Sequence, residues 1–242
     1  MKTRHKLLLL AGGGGIIGRI SGFSGNGLIG VWPLNELSGT AVNCTNNLSL
    51  SVANGHSGVT LGKSGPYGLA SPLYDGINDS TNIFSAALAS IFDGQTGTQI
   101  IFIKAINAGS WTDGTQRIMC MLYASAGNFI DIFKLTTNNT VRYTYRAGLT
   151  TKQVDLTISS TGWNMYALTW SLTLDQVKAY LNNAQIGTTQ TGLGTWSGAL
   201  ASATLGQSGG NAYYGGWLSM TCLFNRVLSL DEIKYIYGGG PG

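Results

Sequence analysis

The sequence predicts an all-β chain: an antiparallel two-sheet sandwich of jelly-roll type with a short C-terminal helix. Three observations carry this. Short runs rich in Val, Ile, Thr and aromatics alternate with turn clusters at roughly 8–12-residue spacing. Glycine, at 36 of 242 residues, is about twice its usual share. The apolar content of 43%, with six Trp and eleven Tyr, supplies one sizeable core and argues against general disorder. A single domain of this length is ordinary for an all-β sandwich.

The runs expected as strands are Leu28–Leu34, Leu48–Ala53, Thr98–Ile106, Arg117–Tyr123, Asn128–Leu135, Thr140–Arg146, Lys152–Ile158, Trp163–Trp170, Gln176–Asn182 and Trp217–Phe224. Within the sixth, Val141, Tyr143 and Tyr145 alternate with Arg142, Thr144 and Arg146, which gives that strand one wet face. Trp163–Trp170 is apolar on both parities and is expected as a central strand. Asn138-Asn139 and Asn182-Asn183 suit hairpin turns, because Asn tolerates positive φ.

Ser229-Leu230-Asp231-Glu232 is a capping box, with Leu228 and Ile233 placed for a hydrophobic staple and Gly238 for a left-handed cap. It predicts a helix that engages Glu232 structurally. A second short helix is expected at Ala86–Phe92.

Residues 1–27 read as a separate N-terminal arm and residues 28–242 as the domain. Lys2, Arg4, Lys6 and Arg19 give the first 30 residues four cations and no acid, whereas the remainder carries ten basic and ten acidic residues. Residues 1–11 also resemble a secretory signal, an alternative to a retained arm, and Gly18–Gly27 reads as a flexible connector. A neutral body offers no clustered cations for nucleic acid. No apolar run reaches the ~18 residues of a membrane-spanning helix. Cys44, Cys120 and Cys222, odd in number and widely spaced, make no disulfide framework or zinc motif, and the last two read as buried small hydrophobes, with a single disulfide as the alternative.

Catalytic equipment is sparse: two Glu, eight Asp and two His. Glu36 and Glu232 form no paired carboxylates on one strand, as glycoside hydrolysis needs. His56 lies in a Gly-rich stretch and is expected as a surface loop residue without an orienting partner. The chain is therefore expected not to be an enzyme and to need no cofactor. Asp75, Asn78 and Asp79 place hard oxygen donors in one turn, a candidate calcium site beside the alternative of an Asx-type turn. Trp111, Trp196, Asn211, Tyr213 and Tyr214 lie in Gly/Ser/Thr-rich stretches outside the strands. They are candidate glycan contacts, with plugging of the sandwich ends as the alternative.

Four segments in order resemble the laminin-G-like, concanavalin A-like jelly-roll family. They are Val31-Trp32-Pro33-Leu34-Asn35-Glu36-Leu37-Ser38-Gly39; Leu73-Tyr74-Asp75-Gly76-Ile77-Asn78-Asp79; Trp163 to Trp170 followed by Val177 to Asn183; and Leu205-Gly206 with Tyr214 to Leu218 and Asn225 to Ile233. The resemblance implies two antiparallel sheets packed face to face. Together with the basic arm and neutral body, it implies a non-enzymatic virion-surface module, a capsid decoration or tail-associated protein of a tailed phage. In that reading the arm anchors an oligomer to capsid or tail proteins of the same particle. The alternative is a secreted or displayed lectin-like domain that binds cell-surface glycans.

Overall fold

The computed structural model describes residues 15–208 and 212–238. In chain order the elements are α1 (Ile16–Ser21), β1 (Leu28–Trp32), β2 (Gly55–Ser57), β3 (Thr60–Ser64), β4 (Ala70–Asp75), β5 (Ser80–Asn82) and α2 (Ala86–Ile91). There follow β6 (Thr96–Ala105), β7 (Arg117–Ser125), β8 (Asn128–Lys134), β9 (Thr140–Ala147), β10 (Thr150–Thr157), β11 (Asn164–Ser171), β12 (Gln176–Leu181) and β13 (Ala184–Gln190). The last are β14 (Ser202–Leu205), β15 (Gly215–Phe224) and α3 (Leu230–Tyr237).

Two antiparallel sheets form a sandwich, as expected. The eight-stranded sheet runs β13-β12-β11-β6-β15-β4-β3, with β1 also pairing β15. The seven-stranded sheet runs β10-β9-β8-β7-β14-β5-β2. Period-two alternation sends Ile101, Ile103, Tyr166, Leu168 and Trp170 of the first sheet inward against Ile130, Ile132, Tyr143 and Tyr145 of the second. Tyr143 packs on Tyr166 and Tyr145 stacks on Trp170 across this gap.

A second apolar cluster lies on the other face of the eight-stranded sheet. Ile100, Phe102, Met165, Ala167, Cys222 and Phe224 are there covered by Ile16, Ile20 and Phe23 from the N-terminal side and by Leu228, Ile233 and Ile236 from the C-terminal side. That is why the Trp163–Trp170 region is apolar on both parities: every residue of β11 is buried. α3 forms from its capping box, with Ser229 Oγ accepting from Glu232 N and Gly238 closing the helix at φ 56°.

The stretch read as a flexible connector, Gly18–Gly27, is instead partly helical and packed. Ile16 and Ile20, four residues apart, share one face of α1 and are buried with Phe23. Arg19, expected on an outward arm, stacks over the Tyr67 ring at 5.1 Å beside Gly238, where a Cβ would collide with its guanidinium. Residues 15–27 of the expected arm are thus built into the body; Lys2, Arg4 and Lys6 lie outside the described residues.

Leu48–Ala53 is also not a strand. Asn47 caps a 3-10 turn at Leu48–Ser51, its side chain accepting from Ser49 N, and only Leu50 is buried. The strands that carry no clear sequence pattern are short or polar. β3 and β13 at the edges of the eight-stranded sheet have no fully buried side chain, and β2, β5 and β14 have three or four residues each. β4 carries Pro72 beside β3. The three cysteines are buried and free. Among the described residues no helix is long and apolar enough to cross a membrane.

Candidate functional site

The two outer faces of the sandwich are unequal. That of the eight-stranded sheet is roofed by α1 and α3, whereas among the described residues neither of these helices covers that of the seven-stranded sheet. Cross-strand register builds the second face in rows. One row reads Ser202, Tyr123, Phe129, Arg146, Thr151 across β14, β7, β8, β9 and β10. The next reads Thr204, Met121, Asp131, Thr144, Gln153 over the same strands. Beyond it lie Phe133, Arg142 and Asp155. These are the residues whose neighbours along each strand, Ile130, Ile132, Tyr143 and Tyr145, enter the core.

A cleft of about 430 Å³ opens on this face, lined by Met121, Tyr123, Ser202, Thr204, Gln207 and Ser208. It offers an aromatic ring, a thioether and hydroxyls, the mixture of apolar surface and placed polar groups that small-ligand sites use. Next to it Asp131 is only 6% exposed, and its Oδ1 has no hydrogen-bond partner. Thr144, directly opposite on β9, turns its buried hydroxyl toward this carboxyl, and Arg146 Nε is buried without a partner. Burial pushes the Asp131 carboxyl up to about 7, against the opposing pull of the Thr144 hydroxyl and the Arg142 guanidinium. Arg142 forms a bidentate pair with Asp155, at 2.7 and 2.8 Å. Arg146 lies over the Phe129 ring at 5.7 Å.

The rim beside β7 is locked by charge. The Lys134 ammonium, 1% exposed, donates to Asp113 Oδ1 at 2.8 Å and to the carbonyls of Thr115 and Leu135. Arg117 holds the other oxygen of Asp113. Burial works to raise the Asp113 carboxyl, but the Lys134 and Arg117 hydrogen bonds outweigh it and hold it at about 2.

The aromatic residues singled out from the loops are not exposed contacts, and this is a correction. Trp111 is 2% exposed and its Nε1 donates to the Ser160 carbonyl at 2.9 Å. Trp196 is 3% exposed and packs edge-on against Phe92, with Gly94 so close beneath its ring that no Cβ would fit. Tyr214 is 1% exposed. Each side chain plugs the gap between the sheets, because a large ring at a sandwich end buries more apolar area there than it would on a rim. Tyr213 is half-buried, its carbonyl held by Arg117, and Asn211 lies outside the described residues.

The Asp75–Asp79 turn makes its own contacts. Asp75 Oδ1 accepts from the amides of Ile77 and Asn78, and Asp79 Oδ2, on a buried residue, accepts from Asp75 N at 2.7 Å. These bonds favour the Asx-turn alternative. Among the described residues no group of three or more His, Cys, Asp or Glu is placed to hold a metal ion.

His56 differs from the expectation of an unpartnered surface residue. It is 7% exposed, with Nδ1 2.8 Å from Thr81 Oγ1 and Nε2 3.4 Å from Glu36 Oε2. Burial works to raise the Glu36 carboxyl, but hydrogen bonds from His56 and Asn43 N prevail and hold it below the usual range. The Thr81 hydroxyl is fully buried and engaged by the Tyr74 hydroxyl. The acid–His–hydroxyl order imitates a nucleophile relay, but its hydroxyl is buried and tied to Tyr74, and its bonds link β2 to β5 and the Glu36 turn.

Residues 75–234 match the Laminin_G_3 family model, described as the concanavalin A-like lectin/glucanases superfamily. Solved structures share the fold at low identity. Domain 4 of AbnA, an extracellular arabinanase of Geobacillus stearothermophilus, solved with arabinotriose, matches at TM-score 0.67 and 12% identity, over 87% of this chain and 98% of that one. The botulinum neurotoxin serotype D binding domain matches at TM-score 0.65 and 12% identity, over 88% of this chain and 52% of that one. A structure concerned with botulinum neurotoxin type C and two ganglioside molecules matches at TM-score 0.65 and 10% identity, over 90% and 52%. The chain thus spans about half the length of these toxin domains. No curated protein matches the sequence.

Proposed function

Since the chain belongs to the concanavalin A-like lectin/glucanase superfamily, we propose that it is a non-enzymatic carbohydrate-binding module that holds its saccharide on the outer face of the seven-stranded sheet. The observation that carries this is the unroofed face itself: the Tyr123 cleft runs beside buried, unpartnered polar atoms on β8 and β9. Saccharides present both apolar ring faces and hydroxyl pairs, and this face answers both. Two solved structures that share the fold, one in complex with arabinotriose and one concerned with a ganglioside interaction, support the ligand class. The AbnA domain comes from an extracellular enzyme, which supports a secreted or displayed setting.

The non-enzymatic part rests on carboxylate placement. Asp131 and Asp155 share the face but stand two strands and two residues apart, roughly 12 Å on a sheet lattice of about 4.8 Å by 3.3 Å. Glycoside hydrolysis uses pairs ~5–5.5 or ~6.5–9.5 Å apart, and Asp155 is engaged by Arg142. Incubation with a polysaccharide panel should release no product.

The phage virion-surface reading draws no support from the fold matches, and Arg19 of its anchoring arm is held against the body. The binding test is a glycan array followed by titration calorimetry. Tyr123→Ala should lower affinity at least tenfold while the circular dichroism spectrum is unchanged. Full binding by that variant would remove the cleft from the site.

A further inference from the structure

Arg146 stands out on the open face because no acidic side chain pairs with it among the described residues. Its neighbour Arg142 is held by both oxygens of Asp155, whereas Arg146 lies on the Phe129 ring with Nε buried and unpartnered. One strand over, Asp131 is more than nine-tenths buried with Oδ1 unpartnered, and the only hydroxyl directly opposite it on β9 is that of the buried Thr144. Native folds rarely leave buried polar atoms unmet. Arg146 and the Asp131 carboxyl, on two adjacent strands of one outer face beside an open cleft, amount to hydrogen-bonding capacity kept for a ligand.

We propose that the saccharide bound here is an acidic one, with its carboxylate docked on the Arg146 guanidinium beside Phe129, and that Asp131 accepts it in protonated form. The proposal rests on the carbohydrate-binding reading and gives its ligand class and its regulation. A guanidinium matches a carboxylate with two parallel N–H donors, and a cation lying on an aromatic ring is already partly desolvated for that contact. An ionised Asp131 would repel the incoming carboxylate, whereas a protonated one donates its O–H to a ligand oxygen.

The groups around Asp131 leave it as the titrating partner. On β7, Met121 lies opposite and Tyr123 is next on the same face; Cys120 points to the core side, and burial drives its thiol up. On β9, Thr144 lies opposite with Arg142 and Arg146 on either side. Asp155 of β10 is tied to Arg142. His56 sits on β2, at the far edge of the sheet. Burial places the Asp131 carboxyl at about 7, so the accepting form predominates below neutrality and declines above it.

The experiment uses the full chain on an array of uronic- and sialic-acid-bearing saccharides beside their neutral counterparts, then calorimetry with the tightest acidic ligand at pH 6 and pH 8. Acidic saccharides should bind in preference to neutral ones, about tenfold more weakly at pH 8 than at pH 6. Arg146→Gln should lose at least tenfold for the acidic ligand with an unchanged melting profile. Asp131→Asn, a mimic of the protonated side chain, should bind equally at both pH values. Neutral saccharides binding as tightly as acidic ones, with Arg146→Gln silent, would overturn this inference and leave the carbohydrate reading standing. An Asp131→Asn variant with the wild-type pH slope would overturn the role of Asp131. Absence of any saccharide binding would overturn both readings together.

Discussion

The outer face of the eight-stranded sheet and the outer face of the seven-stranded sheet start from the same strand geometry and end differently. On the first, side chains such as Phe102, Met165, Ala167 and Phe224 require a roof, and α1, Phe23 and α3 supply it. On the second, the matching positions are Tyr123, Phe129, Asp131, Thr144 and Arg146, a mixture that adds a carboxyl, a hydroxyl and a guanidinium to the rings. One face is closed by packing that serves stability, and the other, on the function proposed above, is left for recognition. A sandwich core can be sealed from one side only, provided that the open face carries side chains that tolerate water and a ligand alike.

The comparison can be broken most forcefully at the roof. Removing residues 15–27 strips Ile16, Ile20 and Phe23 from the second apolar cluster, and the chain should lose cooperative unfolding in a denaturant titration. A single Ile20→Ala change should cost about 2–5 kcal/mol in the same measurement. A truncated chain with an unchanged midpoint would mean that the arm is dispensable and that the two faces are alike.

The next effect comes from the open face and has the opposite sign. The Asp131 carboxyl moves from an ordinary value of 3.8 to about 7 in the fold. Its folded pKa is raised, so the native state holds a proton that the unfolded chain has released. Stability is therefore full below about pH 4 and falls as pH rises towards 7. Asp131→Asn should remove that slope and stabilise the protein at pH 8 by on the order of 3 kcal/mol, read from thermal melts across pH. A smaller loss is expected back at the roof, where Ser229→Ala removes the cap of α3 and costs about 1 kcal/mol. Tyr123→Ala, half-buried on the open face, should change the melting free energy least, by about 1 kcal/mol or less, while its effect on saccharide binding is large.

Much of this architecture was legible in the residues. The doubly apolar run Trp163–Trp170 marked a strand covered on both sides, and the capping box at Ser229 fixed α3 to the residue. Even the open face was visible as the alternation of Arg142, Thr144 and Arg146 with Val141, Tyr143 and Tyr145. The candidate site is not legible in the residues, because local composition misassigns exposure. Trp111, Trp196 and Tyr214 lie in Gly- and Ser-rich loops, yet those loops close over the sandwich ends and bury the rings. The residues that do face outward, Phe129, Asp131 and Phe133, sit within an apolar strand, and only their parity against Ile130 and Ile132 distinguishes them. The roof helix α1 was hidden by the glycines around it, although the spacing of Ile16, Ile20 and Phe23 carried the signal. The partnership of Glu36 with His56 joins residues twenty positions apart and depends on tertiary placement that no local pattern reports.

The central claim is that one outer face recognises saccharide and the other does not. It is tested most directly by a backbone amide NMR titration of the full chain with a bound oligosaccharide. The account predicts shifts concentrated on β7, β8, β9 and β14, around Tyr123, Asp131, Arg146 and Thr204, with α1 and α3 silent. Shifts gathered on α1 and α3, or confined to the Asp75–Asp79 turn, would contradict it.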